Sequence, residues 1–475
     1  MRQKNIATLI AASLDHKPTA DQSEAIAKVS EYVAENVNDS IFLLTGYAGT
    51  GKTSLISAIV GSLDSLRIKS VLLAPTGRAA KVLAAYSGKP AYTIHKKIYR
   101  QKSSKDGIGT FKLDRNLHKE TYFIIDEASM IANSSSDSSV FGSGQLLDDL
   151  VEYVYAGIGC KLILVGDPAQ LPPVGSDTSP ALYIPAVASY GFGIVSCELK
   201  EVVRQAVSSG ILMNATAIRT LILGGATLQP EMVTAGFTDV KRITGEDLID
   251  HLQEAYDSTG IEETVVVVNS NKLANKYNQG IRTRIFFREE EIGAGDLLMV
   301  VKNNYYWLPE EDEAAGFIAN GDIAQVKKIR KYEERYGFRF ADLTLSFPDY
   351  NLEIDAKVIL DTLHYDSPSM PADKNRELYF AILEDYQSIK SKRKQFEAIR
   401  EDPFYNALQI KFAYAVTCHK AQGGQWKRVF IDQGMFNRQD PTVEYLRWFY
   451  TAITRSTEKL YLVNFPDKFF KETSE

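Results

Sequence analysis

The segment Gly46-Tyr47-Ala48-Gly49-Thr50-Gly51-Lys52-Thr53 carries the first chemistry legible in this chain. An apolar run gives way to three glycines, Gly46, Gly49 and Gly51, whose freedom lets successive backbone N–H groups face one point, and that point suits a phosphate. Lys52 can reach the outer phosphates as a mobile charge, and Thr53 can give its hydroxyl to Mg²⁺. Thr50 and Ser54 complete the cradle, while the helix expected to begin there directs its positive end at the anion. Further along, "IIDEASM" (124–130) sets Asp126 and Glu127 at the end of a buried strand, the edge at which ligands sit in open α/β sheets. Asp126 can hold Mg²⁺, and Glu127 can orient and deprotonate the water that attacks a γ-phosphate. A third group, Gln170 in "LVGDPAQLPPV", can contact the γ-phosphate, its loop held by the Gly-Asp-Pro before it and the Pro-Pro after it.

Positioning these groups requires a sheet. Short apolar runs at 41–45, 71–75, 122–126 and 161–166, separated by polar or helical segments, predict a parallel α/β unit. A second set at 263–269, 412–417, 428–432 and 459–464, with helices near 271–285 and 442–454, predicts another. From 296 to 410 the pattern changes to strands and turn signals without a crossover helix, as in "GDLLMVVKNNYYWL", "NGDIAQVKKI" and "FADLTLSF". That stretch predicts an inserted small β-barrel, continued by one charged helix with basic residues clustered between Lys390 and Lys394. The serine-rich 133–144 reads as a low-complexity loop.

Composition bounds the rest. At 475 residues the length prior gives about three domains, and 45% hydrophobic content is ordinary for a globular protein. The absence of a bilayer-length apolar run or a convincing signal peptide predicts a cytoplasmic protein with no membrane partner. Cys160, Cys197 and Cys418 are too scattered for a disulfide framework or a zinc site and read as buried small hydrophobes. A net charge of −6 argues against coating nucleic acid by bulk electrostatics. Yet Lys96–Lys119 holds eight Lys or Arg against two Asp, a local +6, with a Lys-Asp-Gly turn between Tyr99 and Phe111 that reads as a hairpin.

These motifs together resemble the superfamily 1 DNA helicases, specifically the RecD/Dda-like branch. Besides "GYAGTGKT", "IIDEAS" and "GDPAQLPPV", the resemblance includes "TADQSEAI", "APTGRAA", "TIHK", "KEVVRQ", "AVTCHKAQG" and "YTAITR", nine segments in the family's order. The signature segment of the Pif-type relatives is not found between "IIDEAS" and "GDPAQ", which favours the RecD/Dda side. The resemblance implies an α/β fold of two RecA-like P-loop domains, with a β-hairpin pin inserted in the first and a small SH3-like β-barrel in the second. The corresponding boundaries are 1–197 for the first domain (pin 95–120), 198–295 with 411–475 for the second, and 296–410 for the insertion.

Carried over by motif, the resemblance implies that Gln22 contacts the adenine of ATP and that Arg204 and Arg455 act as arginine fingers from the second domain. An arginine supplied across a cleft stabilises the transferring phosphoryl only when the cleft closes, which ties hydrolysis to domain motion. Thr76 and His95 from the first unit, and Thr417, His419 and Lys420 from the second, would hold single-stranded DNA through sequence-independent contacts. In the family the basic hairpin is the pin that splits the duplex, so Phe111 and Tyr99 are candidates to stack on the last base pair, with Lys102 and Lys105 on phosphates. The function implied is an ATP- and Mg²⁺-dependent helicase that acts on single-stranded and forked duplex DNA as a monomer, 5′ to 3′. Two readings stay open beside it: a DNA-stimulated ATPase that translocates without separating strands, and, more distantly, a P-loop phosphotransferase.

Overall fold

A computed structural model describes residues 2–34, 39–101, 111–133, 142–203, 208–225, 229–308, 317–434 and 441–470. The first unit contributes β1 (Ser40–Gly46), β2 (Lys69–Ala74), β3 (Ala91–Thr93), β4 (Tyr99–Gln101), β5 (Phe111–Leu113), β6 (Thr121–Ile125), β7 (Lys161–Gly166) and β8 (Gly193–Leu199). Six of these form a parallel sheet in the order β3-β2-β6-β7-β1-β8. Its strands are apolar almost without interruption because both faces are covered. In β1, Phe42 and Leu44 pack with Ile26, Val29 and Leu55 on one face, while Ile41 and Leu43 pack with Ile94, Leu150 and Val154 on the other. Since β8 pairs with β1 along its whole length, the first sheet extends to Leu199, and the boundary expected at 197 cuts through its edge strand.

The second unit contributes β9 (Val240–Ile243) and β10 (Thr264–Val268) before the insertion, which supplies β11 (Leu297–Val300), β12 (Ile323–Arg335), β13 (Phe338–Phe347), β14 (Leu352–Ile359) and β15 (Leu408–Phe412). The chain then returns with β16 (Ala415–Thr417), β17 (Trp426–Asp432) and β18 (Ser456–Val463). The second sheet is parallel in the order β16-β10-β17-β18-β9, and β11 to β15 close into a barrel. Thus the run expected as one strand at 412–417 is divided between barrel and sheet. A buried cluster fastens the two at that point. Asp296, with no exposed surface, meets Arg282 Nη2 at 3.0 Å, pairs with Arg288, and accepts from the Tyr414 hydroxyl at 2.8 Å. Deleting one partner of such a buried pair costs about 3–5 kcal/mol.

The single charged helix is instead two, Ala372–Asp385 and Lys392–Arg400. The break is local: Ser391 turns out of helical geometry and its hydroxyl caps the second helix by accepting from Lys394 N. The three cysteines are buried and free, as expected. Among the described residues no helix is long and apolar enough to cross a membrane.

Candidate functional site

The glycine loop follows β1 directly and ends at the helix Lys52–Ser65. Gly49 and Gly51 hold φ of 75° and 80°, left-handed values that favour glycine, and they wrap the loop around its own centre. Thr50, fully buried, donates from its hydroxyl to Tyr47 O at 2.8 Å and pins the curl. Lys52 Nζ also donates to Tyr47 O, at 2.9 Å, and lies 3.8 Å from Asp167 Oδ2. Thr53 is half-buried on the first turn of the helix, with Ser54 exposed beside it.

Gln22 is brought to this loop with no exposed surface, but its hydrogen bonds run to the protein. Its Nε2 donates to Thr50 O at 3.1 Å, and its Oε1 accepts from Thr19 N at 3.1 Å. Gln22, expected on the adenine by resemblance, is thus placed beside the nucleotide loop with its amide engaged in holding that loop.

Asp126 and Glu127 follow β6, the strand two positions from β1 in the sheet. Burial, reinforced by the adjacent Glu127 carboxylate, pushes Asp126 up to about 7. Glu127 sits at φ 53°, a conformation uncommon for a residue with a side chain and one found at functional turns. Gln170 is buried, and its Oε1 has no hydrogen-bond partner among the described residues. An orphaned buried acceptor in a cleft suits an ordered water or a ligand group. Among the described residues no cluster of three His, Cys, Asp or Glu side chains forms a metal site. The oxygen donors of Asp126 and Thr53 fit a hard cation completed by substrate phosphates, the usual manner for Mg²⁺.

The second domain closes over this edge. Arg455, 2% exposed at the end of the helix Val443–Ile453, lies with Nη1 3.9 Å from Glu127 Oε1. Its other donors engage Thr451 O, Gly424 O and Thr454 Oγ1 at 3.0–3.2 Å, which fixes the guanidinium. Several cross-cleft groups were not singled out from the sequence. Tyr450 donates its hydroxyl to Asp167 Oδ2 at 2.7 Å and accepts from Ala48 N at 2.8 Å. Thr451 Oγ1 accepts from Leu171 N at 2.8 Å, and Arg447 Nη1 donates to Pro168 O and Gln170 O at 2.7 and 3.0 Å. Arg78 lies 4.1 Å from the Trp426 ring centroid. A signal was available: Asp167, Tyr450 and Thr451 lie inside quoted motifs, and Arg447 precedes Tyr450 and Thr451 by three and four residues, one helical face. Arg204 lies outside the described residues.

Of the residues expected on DNA, Thr76 and His95 follow the C-terminal ends of neighbouring strands, β2 and β3. Thr76 caps the helix Gly77–Ser87 by accepting from Ala79 N at 3.2 Å. Burial depresses His95 to about 4, so its imidazole is neutral at physiological pH. Thr417 ends β16, and the chain beyond it returns to Thr76, since a Cβ on Gly423 would stand 2.9 Å from Thr76 Oγ1. His419 is exposed. Lys420, pushed down to about 8 by burial, donates to Asn320 of the barrel. The barrel also reaches the first domain: Tyr350, bonded to Asp322 at 2.7 Å, abuts Gly77, and Lys96 Nζ lies 3.7 Å from the Tyr350 ring centroid.

The hairpin is present as β4 and β5, antiparallel, with Tyr99 opposite Leu113 and Gln101 opposite Phe111. Tyr99 and Phe111 are each only 6% exposed, within the core that covers one face of the first sheet. Tyr99 donates to Asp149 at 2.6 Å, and Phe111 packs 4.3 Å from Tyr305, centroid to centroid. As an exposed wedge both are corrected: apolar rings at the base of a hairpin gain more from the core than from water. Lys102 and Lys105 lie outside the described residues.

Comparison with known proteins agrees with this arrangement. The model of an AAA domain matches residues 18–221, and that of a UvrD-like helicase C-terminal domain matches 412–463. The chain is 24% identical to an uncharacterized protein of Acanthamoeba polyphaga mimivirus, over 91% of this chain and 97% of that one. It is 26% identical to the ATP-dependent DNA helicase dda of Enterobacteria phage T4, over 82% and 86% respectively. With the ATP-dependent RecD2 DNA helicase of Deinococcus radiodurans it shares 30% identity over 92% of this chain and 48% of the relative. With both models in this order on the two sides of one cleft, and relatives of this kind along most of its length, the chain is similar to the superfamily 1 helicases of the RecD/Dda kind.

Proposed function

We propose that the protein is an ATP-driven motor that moves 5′ to 3′ along single-stranded DNA and separates duplex ahead of it. The observation that carries the reading is the approach of Arg455, from the second domain, to within 3.9 Å of Glu127 in the first. A cation there can stabilise the transferring phosphoryl only while the domains are together, so turnover and domain position are linked. Lys52 binds the outer phosphates, Glu127 takes the proton of the attacking water, and Gln170 orients it through the unpaired Oε1. Asp126 and Thr53 would hold Mg²⁺, which would supply charge neutralisation on the phosphoryl group. Thr76, His95, Thr417, His419 and Lys420 line the DNA edge, and the first domain, the second domain and the barrel correspond to 1–199, 200–296 with 413–475, and 297–412.

A second reading, translocation without strand separation, draws on the burial of Tyr99 and Phe111, which leaves the described part of the hairpin without an exposed aromatic wedge. One experiment addresses both. ATP turnover is measured with and without single-stranded DNA, then unwinding of forked substrates with a 5′ or a 3′ tail. The motor reading expects strong stimulation and unwinding from the 5′ tail. Stimulation without unwinding selects the second reading, and turnover indifferent to DNA refutes both.

A further inference from the structure

Beyond the groups that act on the phosphates, the cleft holds a hydroxyl with two partners of opposite kind. Tyr450 is 1% exposed on the helix Val443–Ile453, and its oxygen joins the glycine loop, through Ala48 N at 2.8 Å, to Asp167 Oδ2 at 2.7 Å. The same carboxylate oxygen lies 3.8 Å from Lys52 Nζ. Asp167 is itself 1% exposed, and its other oxygen accepts from Ala169 N at 2.9 Å. A buried carboxylate in this position draws on two donors, a backbone amide of the first domain and a tyrosine of the second, and on the charge of a lysine 3.8 Å away. Burial next to Asp167 drives the tyrosine well above its ordinary range, so it remains a donor at any physiological pH.

We infer that Tyr450 is a positioning residue that reports the γ-phosphate to the second domain through Asp167 and Lys52. The inference rests on the ATPase reading above. Lys52 donates to Tyr47 O and pairs with Asp167, and a γ-phosphate would compete with both for it. Asp167 then depends on Ala169 N–H and the Tyr450 hydroxyl, and the tyrosine is held to the first domain more firmly. A diphosphate offers Lys52 only its β-phosphate and draws it from Asp167 less. Without the hydroxyl, Asp167 needs Lys52 more, and the lysine is less available to the γ-phosphate. Tyr450 therefore favours the triphosphate over the diphosphate and links that preference to the helix that leads into Arg455.

The test uses Tyr450→Phe, which keeps the buried ring, and titrates the full-length chain with Mg²⁺ and either fluorescent ADP or its non-hydrolysable triphosphate counterpart. Expected are ADP affinity within about twofold of the parent and triphosphate affinity lower on the order of tenfold, the usual effect of a hydrogen bond to a charged group. Thr451→Val removes a neighbouring cross-cleft bond to Leu171 without touching Asp167, and it should leave the ratio of the two affinities within about twofold. In an Asp167→Asn background, which weakens the hold on Lys52, adding Tyr450→Phe should change the ratio little, a non-additivity that a simple packing role does not produce. The inference is overturned if Tyr450→Phe leaves the ratio unchanged, if Thr451→Val lowers it as much, or if the two substitutions at 450 and 167 add. Because the readout contains no DNA, a parent that hydrolyses ATP without DNA stimulation would refute the motor reading and leave this test intact. A parent that binds neither nucleotide would refute both.

Discussion

Replacing Arg455 by alanine removes a guanidinium 3.9 Å from Glu127 Oε1 on the opposite wall of the cleft. At an effective dielectric near 20, two unit charges at that separation interact by about 4 kcal/mol. That attraction is present in the ground state as well; what the finger adds is charge on the transferring phosphoryl, and its loss costs on the order of a thousandfold or more in rate. The side chain also has a structural duty, because its donors satisfy the carbonyls of Thr451 and Gly424. Thr451 O keeps the Thr454 hydroxyl at 2.9 Å, but leaving Gly424 O unpaired in a buried site costs about 1–3 kcal/mol, so the variant should melt earlier as well as turn over more slowly. The two effects separate if turnover is measured well below the melting midpoint, at saturating ATP and single-stranded DNA, beside a nucleotide titration on the same sample. The expected result is nucleotide affinity within a few fold of the parent and turnover down by about a thousand. Arg455→Lys keeps the charge but cannot reach all three acceptors, and it should recover only part of the loss. Less than a tenfold fall in turnover, or a variant that loses nucleotide binding yet turns over normally at saturation, would refute the assignment.

Glu127→Gln should bind ATP like the parent and fail to hydrolyse it, read as retained nucleotide affinity beside absent phosphate release; parental turnover would remove Glu127 as the base. Phe111→Ala should cost about 3–5 kcal/mol of stability, as for a buried phenylalanine, and lower unwinding by loosening the hairpin base, while DNA-stimulated hydrolysis of the folded protein stays within about twofold. A variant that melts like the parent but does not unwind would return Phe111 to the junction. Single-stranded DNA affinity should fall as pH rises from 7 to 9, because Lys420 loses its proton near 8 and with it a phosphate contact, and Lys420→Gln should flatten that decline. The sign for stability is opposite: between about 8 and the ordinary 10.5 the unfolded chain binds the proton that the folded one releases, so this residue adds stability as pH climbs through that window.

The two sheets were legible because a parallel strand covered on both faces must be apolar throughout, and "FLLT", "VLLA" and "VVVV" leave little else to read. The glycine loop and the carboxylates were legible for the same local reason: their chemistry is written in adjacent residues. The edge strand β8 was not, since its partly exposed pattern carries a weaker signal and its membership is settled by pairing with β1. The aromatics of the hairpin misled because a ring in a basic run looks like a stacking platform. Cross-strand register decides otherwise, setting Gln101 against Phe111 and Tyr99 against Leu113 with both rings in the core. Gln22 shows another limit: its motif brings it to the nucleotide loop, but whether an amide meets a base or a backbone carbonyl depends on what lies 28 residues away.

The contacts that matter most for coupling belong to one helix, and its geometry explains why they act together. On Val443–Ile453, Leu446, Phe449 and Ile453 are buried in the second core, while Arg447, Tyr450 and Thr451 address the loop Asp167–Leu171 of the first domain. Arg455 follows within one turn of the helix end. At 1.5 Å per residue, Arg447 lies about 9 Å along the helix from its last residue, Ile453, and Arg455 follows in the turn. The second domain therefore cannot bring Arg455 to Glu127 without also carrying Arg447 and Tyr450 onto the loop that holds Gln170. A loop displaced by the γ-phosphate must push on the same helix. On the proposed function, hydrolysis and domain position would be joined through this helix, with no further moving part needed between the phosphate and the second sheet.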